Sequence, residues 1–177
     1  MKKIVFLEGL PGVGKTTLLN YIKSKNLKDL FFVDEIIDKK ILEKKIYNEE
    51  VFLENEELKL NKYNDGLIIV DRGPISVISY AQAKEIIDVK FHADISKEWF
   101  EKYKDIYKEN VMVYYLIDEK DEFKITSNDK NSPYGTEENQ KLLKSITEYN
   151  IKKYCKKYVF KIYNKTNIVE VFNEIIG

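Results

Sequence analysis

Residues 9–17 form a glycine-rich motif with the spacing of a phosphate-binding loop. They read GLPGVGKTT and follow the apolar run IVFL. In a Gly-x-x-x-x-Gly-Lys-Thr pattern the glycines let backbone N–H groups converge on phosphate oxygens, and the next helix begins there with its positive dipole end. The lysine of such a loop reaches the β and γ phosphates, and the threonine hydroxyl is a ligand for Mg²⁺. The sequence therefore predicts a nucleotide-binding loop, which we call the phosphate loop.

The residues of the phosphate loop have different predicted roles. Lys15 is predicted to act in catalysis as well as in binding, and the Thr16 hydroxyl is predicted to hold the metal ion. Contacts to the nucleotide phosphates are expected from the whole loop, which comprises Gly9, Pro11, Gly12, Val13, Gly14, Lys15, Thr16 and Thr17.

A second motif, LIIVDRG at 67–73, ends an apolar run in an acid and an arginine. Asp71 would lie at the tip of a central strand, where enzymes with a phosphate loop hold Mg²⁺. Arg72 is the single arginine among thirty basic residues. A planar, permanently charged guanidinium grips phosphate through two hydrogen bonds, so Arg72 suits a phosphoryl group in transfer. The alternative interpretation is that Asp71 and Arg72 only form an ion pair at the surface, which is what an isolated Asp-Arg sequence would suggest.

Two adjacent acids, Asp34 and Glu35, follow the apolar run LFFV. A carboxylate at this place could accept the proton of an attacking hydroxyl group, whereas an acceptor phosphate needs no base. An acidic pair at the start of a helix, favoured by the helix dipole, explains the same residues. The sequence does not decide between these two interpretations, nor which acid faces the site.

Three residues in the segment VFLENEELKLNKY could contact an acceptor molecule. Phe52, Asn55 and Lys59 are three and four positions apart, so they share one face of a helix. An aromatic ring could stack on a base, an amide could read its edge, and a cation could bind its phosphate. A phenylalanine in the core beside solvated Asn55 and Lys59 is the alternative interpretation.

The elements that position these residues alternate along the chain. Continuous apolar runs, typical of strands covered on both faces, occupy 4–8, 30–33, 67–71, 111–117 and 158–163. Charged periodic segments between them predict helices near 15–25, 36–63, 75–89, 96–109, 136–156 and 167–176. Alternating strands and helices without a linker or repeat predict one doubly wound α/β domain over residues 1–177.

The polar segment 118–135 follows the fourth predicted strand and has no clear periodicity. Ligands of α/β sheets bind beyond the carboxyl ends of the strands, so this segment lies at the same edge as the phosphate loop. We interpret it as a lid, with a solvated connection as the alternative. Its candidate phosphate-binding cations are Lys120, Lys124 and Lys130.

Composition limits the partners. Thirty basic residues balance thirty acidic ones, so an overall positive field that would attract nucleic acids or anionic membranes is not favoured.

Cys155 is the one cysteine, which excludes an intrachain disulfide and fits a reducing compartment. No apolar run approaches the length of a membrane span, and no signal peptide precedes the first strand. We expect a cytoplasmic protein whose partners are a nucleotide and a small-molecule acceptor; a homodimer is compatible with these features.

The segments LEGLPGVGKTTLL and VDRGPISVISYAQAK resemble the thymidylate kinase and deoxynucleoside kinase superfamily. The shared features are Glu8-Gly9, the phosphate loop, Asp71-Arg72, Ser76, Tyr80 and Ala83-Lys84. The resemblance implies a three-layer fold with a five-stranded parallel sheet of order 2-3-1-4-5 and helices on both faces. It also implies ATP with Mg²⁺, and an acceptor held opposite the phosphate loop. Of the two acids, Glu35 is the better match to the glutamate that nucleoside kinases place after the second strand, and Asp34 is the second choice.

The chain departs from both patterns. Pro11 stands where thymidylate kinases usually have an acid, and Val77 and Ile78 stand where nucleoside kinases often have a second Asp-Arg. Both families tend to supply arginines from the lid, and this lid has none.

The expected function is ATP- and Mg²⁺-dependent transfer of the γ-phosphoryl group to a nucleoside monophosphate or a nucleoside. The segment 71–84 resembles the thymidylate kinase pattern more closely, which favours a monophosphate. The alternatives are a kinase of another hydroxyl compound, such as an antibiotic or a nucleic-acid 5′ end, and a non-catalytic nucleotide-binding module.

Overall fold

In the part of the chain that the structure describes, five parallel strands form one sheet in the order β2-β3-β1-β4-β5. The computed structural model of the chain describes residues 2–120 and 133–177. The strands are β1 (Lys3–Gly9), β2 (Leu30–Val33), β3 (Leu67–Asp71), β4 (Val111–Asp118) and β5 (Tyr158–Tyr163). The expected fold class and strand order are confirmed. Each strand lies on an apolar run, because both faces of the sheet are covered.

Helices connect the strands. They are α1 (Lys15–Lys23), α2 (Lys39–Leu42), α3 (Glu49–Asn61), α4 (Pro74–Ile87), α5 (Asp94–Tyr103) with a following 3₁₀ turn (Lys104–Lys108), α6 (Glu137–Tyr154) and α7 (Ile168–Ile176). The helical region expected over 36–63 is two helices separated by residues 43–48. The side chains of Asp38 and Asn48 cap these helices by accepting hydrogen bonds from Lys40 N and Val51 N.

Alternate residues of β1 face opposite layers of the core. Phe6 is fully buried against a cluster that includes Ile75 of α4 and Trp99 of α5. Val5 and Leu7 face the other layer, which includes Leu18 of α1 and Val171 of α7. The period-two alternation of side chains on a strand therefore produces three layers, with the sheet between two sets of helices.

The carboxyl ends of the central strands bring distant parts of the sequence together. In the register of the sheet, Leu7 of β1 lies beside Asp71 of β3, and Val33 of β2 lies beside Val70. The segments that follow these strands therefore meet at one edge. They contain the phosphate loop, the Asp71-Arg72 pair and the Asp34-Glu35 pair. Among the described residues, no helix is both long enough and apolar enough to span a bilayer.

Candidate active site

The phosphate loop depends on glycines in backbone conformations that other residues rarely adopt. Gly9 has φ 144° and Gly14 has φ 100°. A Cβ at Gly9 would lie 2.7 Å from Leu116 O, and one at Gly14 would lie 2.8 Å from the Tyr163 ring. Glycine is therefore required at both positions, by dihedral angle and by space.

Lys15 lies at the start of α1 with its side chain folded back under the phosphate loop. Its Nζ donates to Gly9 O at 2.9 Å and to Leu10 O at 3.0 Å, and the residue is buried. Burial, reinforced by the charge of Arg72, lowers the pKa of Lys15 to about 7. The nearby carboxylates of Asp71, Glu35 and Glu8 act in the opposite direction on this pKa, but burial has the larger effect.

Asp71 and Thr16 provide oxygen atoms suited to a magnesium ion. Asp71 is buried, and its Oδ1 has no hydrogen-bond partner among the described residues. Burial raises the pKa of this carboxyl. The Thr16 side chain is exposed in the first turn of α1. No cluster of three or more His, Cys, Asp or Glu that could hold a metal occurs within residues 2–120 and 133–177. Mg²⁺ is commonly held by one or two protein oxygens together with substrate phosphates, so the donor set fits that ion.

Arg72 directs its side chain from the end of β3 toward Glu35. The guanidinium Nε lies 2.9 Å from Glu35 Oε1, although its N–H is not aligned on the carboxylate, so the contact is an ion pair and not a hydrogen bond. The guanidinium carbon lies 5.4 Å from the centre of the Tyr80 ring. The backbone of Arg72 has φ 57°, in the left-handed region.

The two adjacent acids face different surroundings. Asp34 is exposed and pairs with Lys23 Nζ of α1 at 2.7 Å, outside the site. Glu35 contacts Arg72, and 52% of its side chain is exposed. The structure therefore places Glu35, and not Asp34, beside Arg72. The sequence alone did not show which of the two acids faces the site.

A cavity of about 1030 Å³ lies beside Glu35 and Arg72. Within the described parts of the chain, its lining includes the aromatic rings of Tyr47, Phe52, Tyr80, Phe91 and Tyr134. Tyr47 and Phe52 are exposed, with ring centres 6.5 Å apart. Such a cavity has room for a planar ring compound next to the ion pair.

No protein-family model and no curated protein matches the sequence. Solved structures do. Thymidylate kinase from Ehrlichia chaffeensis has a TM-score of 0.65 at 12% identity, with 99% of both chains covered. Deoxyadenosine kinase from M. mycoides with bound dATP has a TM-score of 0.59 at 18% identity, over 98% of this chain and 99% of that one.

Shikimate kinase from Acinetobacter baumannii in complex with shikimate has a TM-score of 0.54 at 17% identity, over 99% of this chain and 92% of that one. The chain has the P-loop kinase fold. Because these three enzymes are named for three different acceptors, the P-loop kinase fold alone does not select an acceptor.

Within this P-loop kinase fold, Glu8 connects the phosphate loop to the arginine segment. It is fully buried; its Oε1 accepts from Gly73 N at 2.9 Å, and its Oε2 accepts from the Ser76 hydroxyl. Burial raises the pKa of Glu8 to about 7. Sequence reasoning gave Glu8 no role. The signal that could have revealed its role is that Glu8-Gly9 and Ser76 both belong to the features shared with the thymidylate kinase pattern.

Only Phe52 of the three proposed acceptor contacts offers a free surface to the cavity. Asn55 is buried, and its Oδ1 accepts from Ile37 N at 2.8 Å and from Asp38 N at 3.0 Å. Its Nδ2 donates to Glu35 O at 2.9 Å and, less closely, to Glu56. The hydrogen-bonding capacity of the Asn55 amide is used within the protein, so the expectation that it reads the edge of a base is corrected.

Lys59 is also occupied within the protein. Its side chain is fully buried, and its Nζ donates to Glu56 Oε1 at 2.7 Å and to the carbonyl oxygens of Asp71 and Arg72, each at 3.0 Å. An ammonium with three partners and no exposure is not available to an acceptor phosphate. The expected contact to that phosphate is therefore corrected as well.

The proposed lid is described only at its ends. Lys120 is exposed, and its backbone N–H donates to Asp118 Oδ1 at 3.1 Å. Lys124 and Lys130 lie outside the described residues. On the other side, Pro133 and Tyr134 line the cavity, and the Tyr134 hydroxyl donates to Tyr80 O.

Proposed function

We propose that the protein is an ATP- and Mg²⁺-dependent kinase whose acceptor group is a hydroxyl, with a nucleoside as the acceptor. The observation that carries the proposal is the 2.9 Å contact between Glu35 and Arg72 at the wall of the cavity. A carboxylate that is half exposed beside a cavity can accept a proton from a bound hydroxyl. The guanidinium beside it can bind the phosphoryl group that the hydroxyl attacks.

The proposed reaction needs few groups. The acceptor oxygen attacks the γ-phosphorus of ATP, the bond from this phosphorus to the β–γ bridging oxygen breaks, ADP leaves, and the hydroxyl proton passes to Glu35. Lys15 and Arg72 stabilise the charge on the phosphoryl oxygens during transfer. Magnesium, held by Thr16 and Asp71 together with phosphate oxygens, would neutralise further negative charge. A general base contributes typically about a hundredfold to ten-thousandfold in rate.

The charges around the cavity support a neutral acceptor over a monophosphate. Among the residues that the structure describes, the charged ones that line it are three acids, Glu35, Glu49 and Glu56, and two bases, Arg72 and Lys84. Arg72 is already paired with Glu35, and the ammonium of Lys84 lies 4.0 Å from the centre of the Phe91 ring. A phosphate monoester carries a charge of about −1.5 to −2 at pH 7. The described part of the wall offers it no surplus of positive charge, so the monophosphate favoured by the sequence becomes the second choice.

The aromatic lining supports a nucleoside over other hydroxyl compounds. Tyr47 and Phe52 expose ring surface to the cavity, and a planar base can stack on such surface. Stacking on an aromatic side chain is worth roughly 1–3 kcal/mol per base. A compact non-planar alcohol would leave these rings in contact with water.

The decisive experiment measures ADP formation from ATP and Mg²⁺ across nucleosides, their monophosphates, other alcohols and nucleic-acid 5′ ends. We expect turnover with at least one nucleoside and little with the corresponding monophosphate. A preference for the monophosphate would overturn the hydroxyl assignment. ATP binding without turnover of any acceptor would favour a nucleotide-binding module. The Lys15→Ala variant, purified in parallel, controls for contaminating kinases.

Nucleotide affinity is expected to fall as pH rises above 7. In the free protein the pKa of Lys15 is lowered to about 7, so the side chain is largely neutral at higher pH. Phosphate binding favours the charged form, so binding at higher pH requires uptake of one proton. The dissociation constant of metal-free ADP should then increase up to about tenfold per pH unit between pH 7.5 and 8.5.

Isothermal titration calorimetry with EDTA, in two buffers of different ionisation enthalpy, measures both the affinity and the proton uptake. The Lys15→Arg variant keeps a permanent charge and should show a much weaker pH dependence. Equal affinities at pH 7.5 and 8.5 for the unchanged protein would contradict the assignment.

A further inference from the structure

The backbone on both sides of the Arg72 α-carbon is held by one buried ammonium group. Lys59 of α3 donates to the carbonyl oxygens of Asp71 and Arg72, at 3.0 Å each. These two oxygens belong to the peptide groups that flank the Arg72 α-carbon. The Arg72 N–H donates to Leu7 O at 3.0 Å, which ties the same segment to β1. The conformation of this residue is therefore fixed from two directions.

That conformation requires support. Arg72 has φ 57°, and a left-handed backbone costs roughly 1–2 kcal/mol for a residue with a Cβ. Such conformations persist where the surrounding structure holds them, and they concentrate at functional sites. In this conformation the side chain of Arg72 reaches Glu35.

The face of α3 that carries Lys59 also holds Glu35, the partner of Arg72 in the ion pair. Asn55, four residues before Lys59, donates from Nδ2 to Glu35 O at 2.9 Å. Its Oδ1 accepts from the backbone N–H groups of Ile37 and Asp38, which follow Glu35 in the chain. Residues four apart lie on one face of a helix, so a single rigid element contacts both backbones.

The charges of Lys59 and Glu56 are buried, and this placement needs a reason. The Lys59 and Glu56 side chains are 0% and 6% exposed, and Glu56 Oε2 has no hydrogen-bond partner among the described residues. Replacing a buried ion pair with apolar side chains of similar volume is often neutral or stabilising. A buried ion pair is thus weak evidence for added stability, and its contacts are the better guide to its role.

We propose that Lys59 and Asn55 are positioning residues, which set the separation of Arg72 and Glu35 from one face of α3. Glu56 is the buried counter-charge of Lys59, with its Oε1 2.7 Å from Lys59 Nζ. The value of this arrangement for turnover rests on the proposed function, but the geometry itself does not. The two parts are therefore tested separately.

The single arginine of the chain gives a direct readout of the geometry. Protein labelled with ¹⁵N,¹³C-arginine has one guanidinium signal set, that of Arg72. The test variant is Lys59→Met with Glu56→Gln, which removes the hydrogen bonds from Lys59 to both carbonyl groups without leaving an unpaired buried charge. The matched control is Glu56→Gln alone, in which the Lys59 amino group, charged or neutral, still has enough N–H donors for the carbonyl oxygens of Asp71 and Arg72.

We expect the Nε and Cζ signals of Arg72 to shift or broaden in the double variant and to stay close to those of the unchanged protein in the control. Unchanged signals in a folded double variant would overturn the proposal. Circular dichroism reports the folding of each variant. If the double variant does not fold, Lys59→Gln with Glu56→Gln retains one donor and should give a smaller shift in the same signals. Unchanged signals there would also count against the proposal.

Kinetics test the consequence for catalysis. A misplacement of about 1 Å can lower a rate a hundredfold. We expect the double variant to lower kcat about ten- to a hundredfold, with a KM for ATP that changes less than about threefold. In an Arg72→Lys background the same double change should have little further effect, because Lys59 acts through Arg72. Equal factors in both backgrounds would indicate a merely structural role.

If no acceptor supports turnover, the proposed function fails and the arginine signals still decide the positioning proposal. If turnover is normal and the signals do not move, the positioning proposal fails and the function stands.

Discussion

We expect the Lys15→Ala variant to lose nucleotide binding while it remains folded. Lys15 is buried, and among the described residues its ammonium donates hydrogen bonds to the carbonyl oxygens of Gly9 and Leu10 in the loop. Hydrogen bonds to charged groups are worth roughly 1.5–3 kcal/mol each. Losing two contacts to nucleotide phosphates should therefore raise the dissociation constant by a hundredfold or more, since every 1.4 kcal/mol is tenfold.

The folded state should tolerate this change. Because Lys15 is buried, its charged side chain is poorly solvated in the free protein, which is why its pKa is lowered. Calorimetric titration with ATP measures the binding, and thermal unfolding measures the stability. The Lys15→Met variant keeps most of the side-chain volume and separates the loss of charge from the creation of a void. Unchanged affinity in either folded variant would contradict the function of the phosphate loop.

The Glu35→Gln variant is expected to lower kcat with a nucleoside acceptor by about a hundredfold to ten-thousandfold. Glutamine has nearly the same shape as glutamate but cannot accept the hydroxyl proton, so the contribution of a general base disappears. ATP affinity should change little, because Glu35 contacts Arg72 and the cavity rather than the phosphate loop. Steady-state kinetics with the acceptor found in the panel gives both parameters.

Asp34→Asn is the matched control. Asp34 is adjacent in sequence, but it is exposed and paired with Lys23, so its substitution should leave kcat within about twofold. Loss of activity in Asp34→Asn with full activity in Glu35→Gln would reverse the assignment. A rise in KM for the acceptor with unchanged kcat in Glu35→Gln would indicate a binding role and support a phosphate acceptor.

The fold could be predicted from the sequence because its signals are local. Continuous apolar runs marked the five strands, and the resemblance carried by the two motifs supplied their order. The division of the segment 36–63 was missed because it depends on two caps. Asp38 and Asn48 each bond a backbone N–H just inside a helix, and in the sequence they are ordinary polar residues within a charged segment.

The candidate site was predictable only where residues are close in sequence. The phosphate loop and the Asp71-Arg72 pair follow from spacing, and their roles stay predictions. The choice between Asp34 and Glu35 depends on which neighbour each meets, Lys23 or Arg72. Glu8 bonds Gly73 and Ser76, which lie far along the chain, so no local pattern reveals its partners.

The place of β1 at the centre of the sheet has a consequence for how the protein is made. Ile4 of β1 pairs with Val111 of β4, and Gly14 packs against Tyr163 of β5, so the phosphate loop is translated long before the strands that support it. Contacts of such large sequence separation form slowly, because much of the chain must be ordered before they close. On the ribosome one edge of β1 can pair with β3, but its other edge stays unpaired until β4 emerges, a period in which chaperones or aggregation compete for it. Acquisition of nucleotide binding would mark the end of folding for the whole domain.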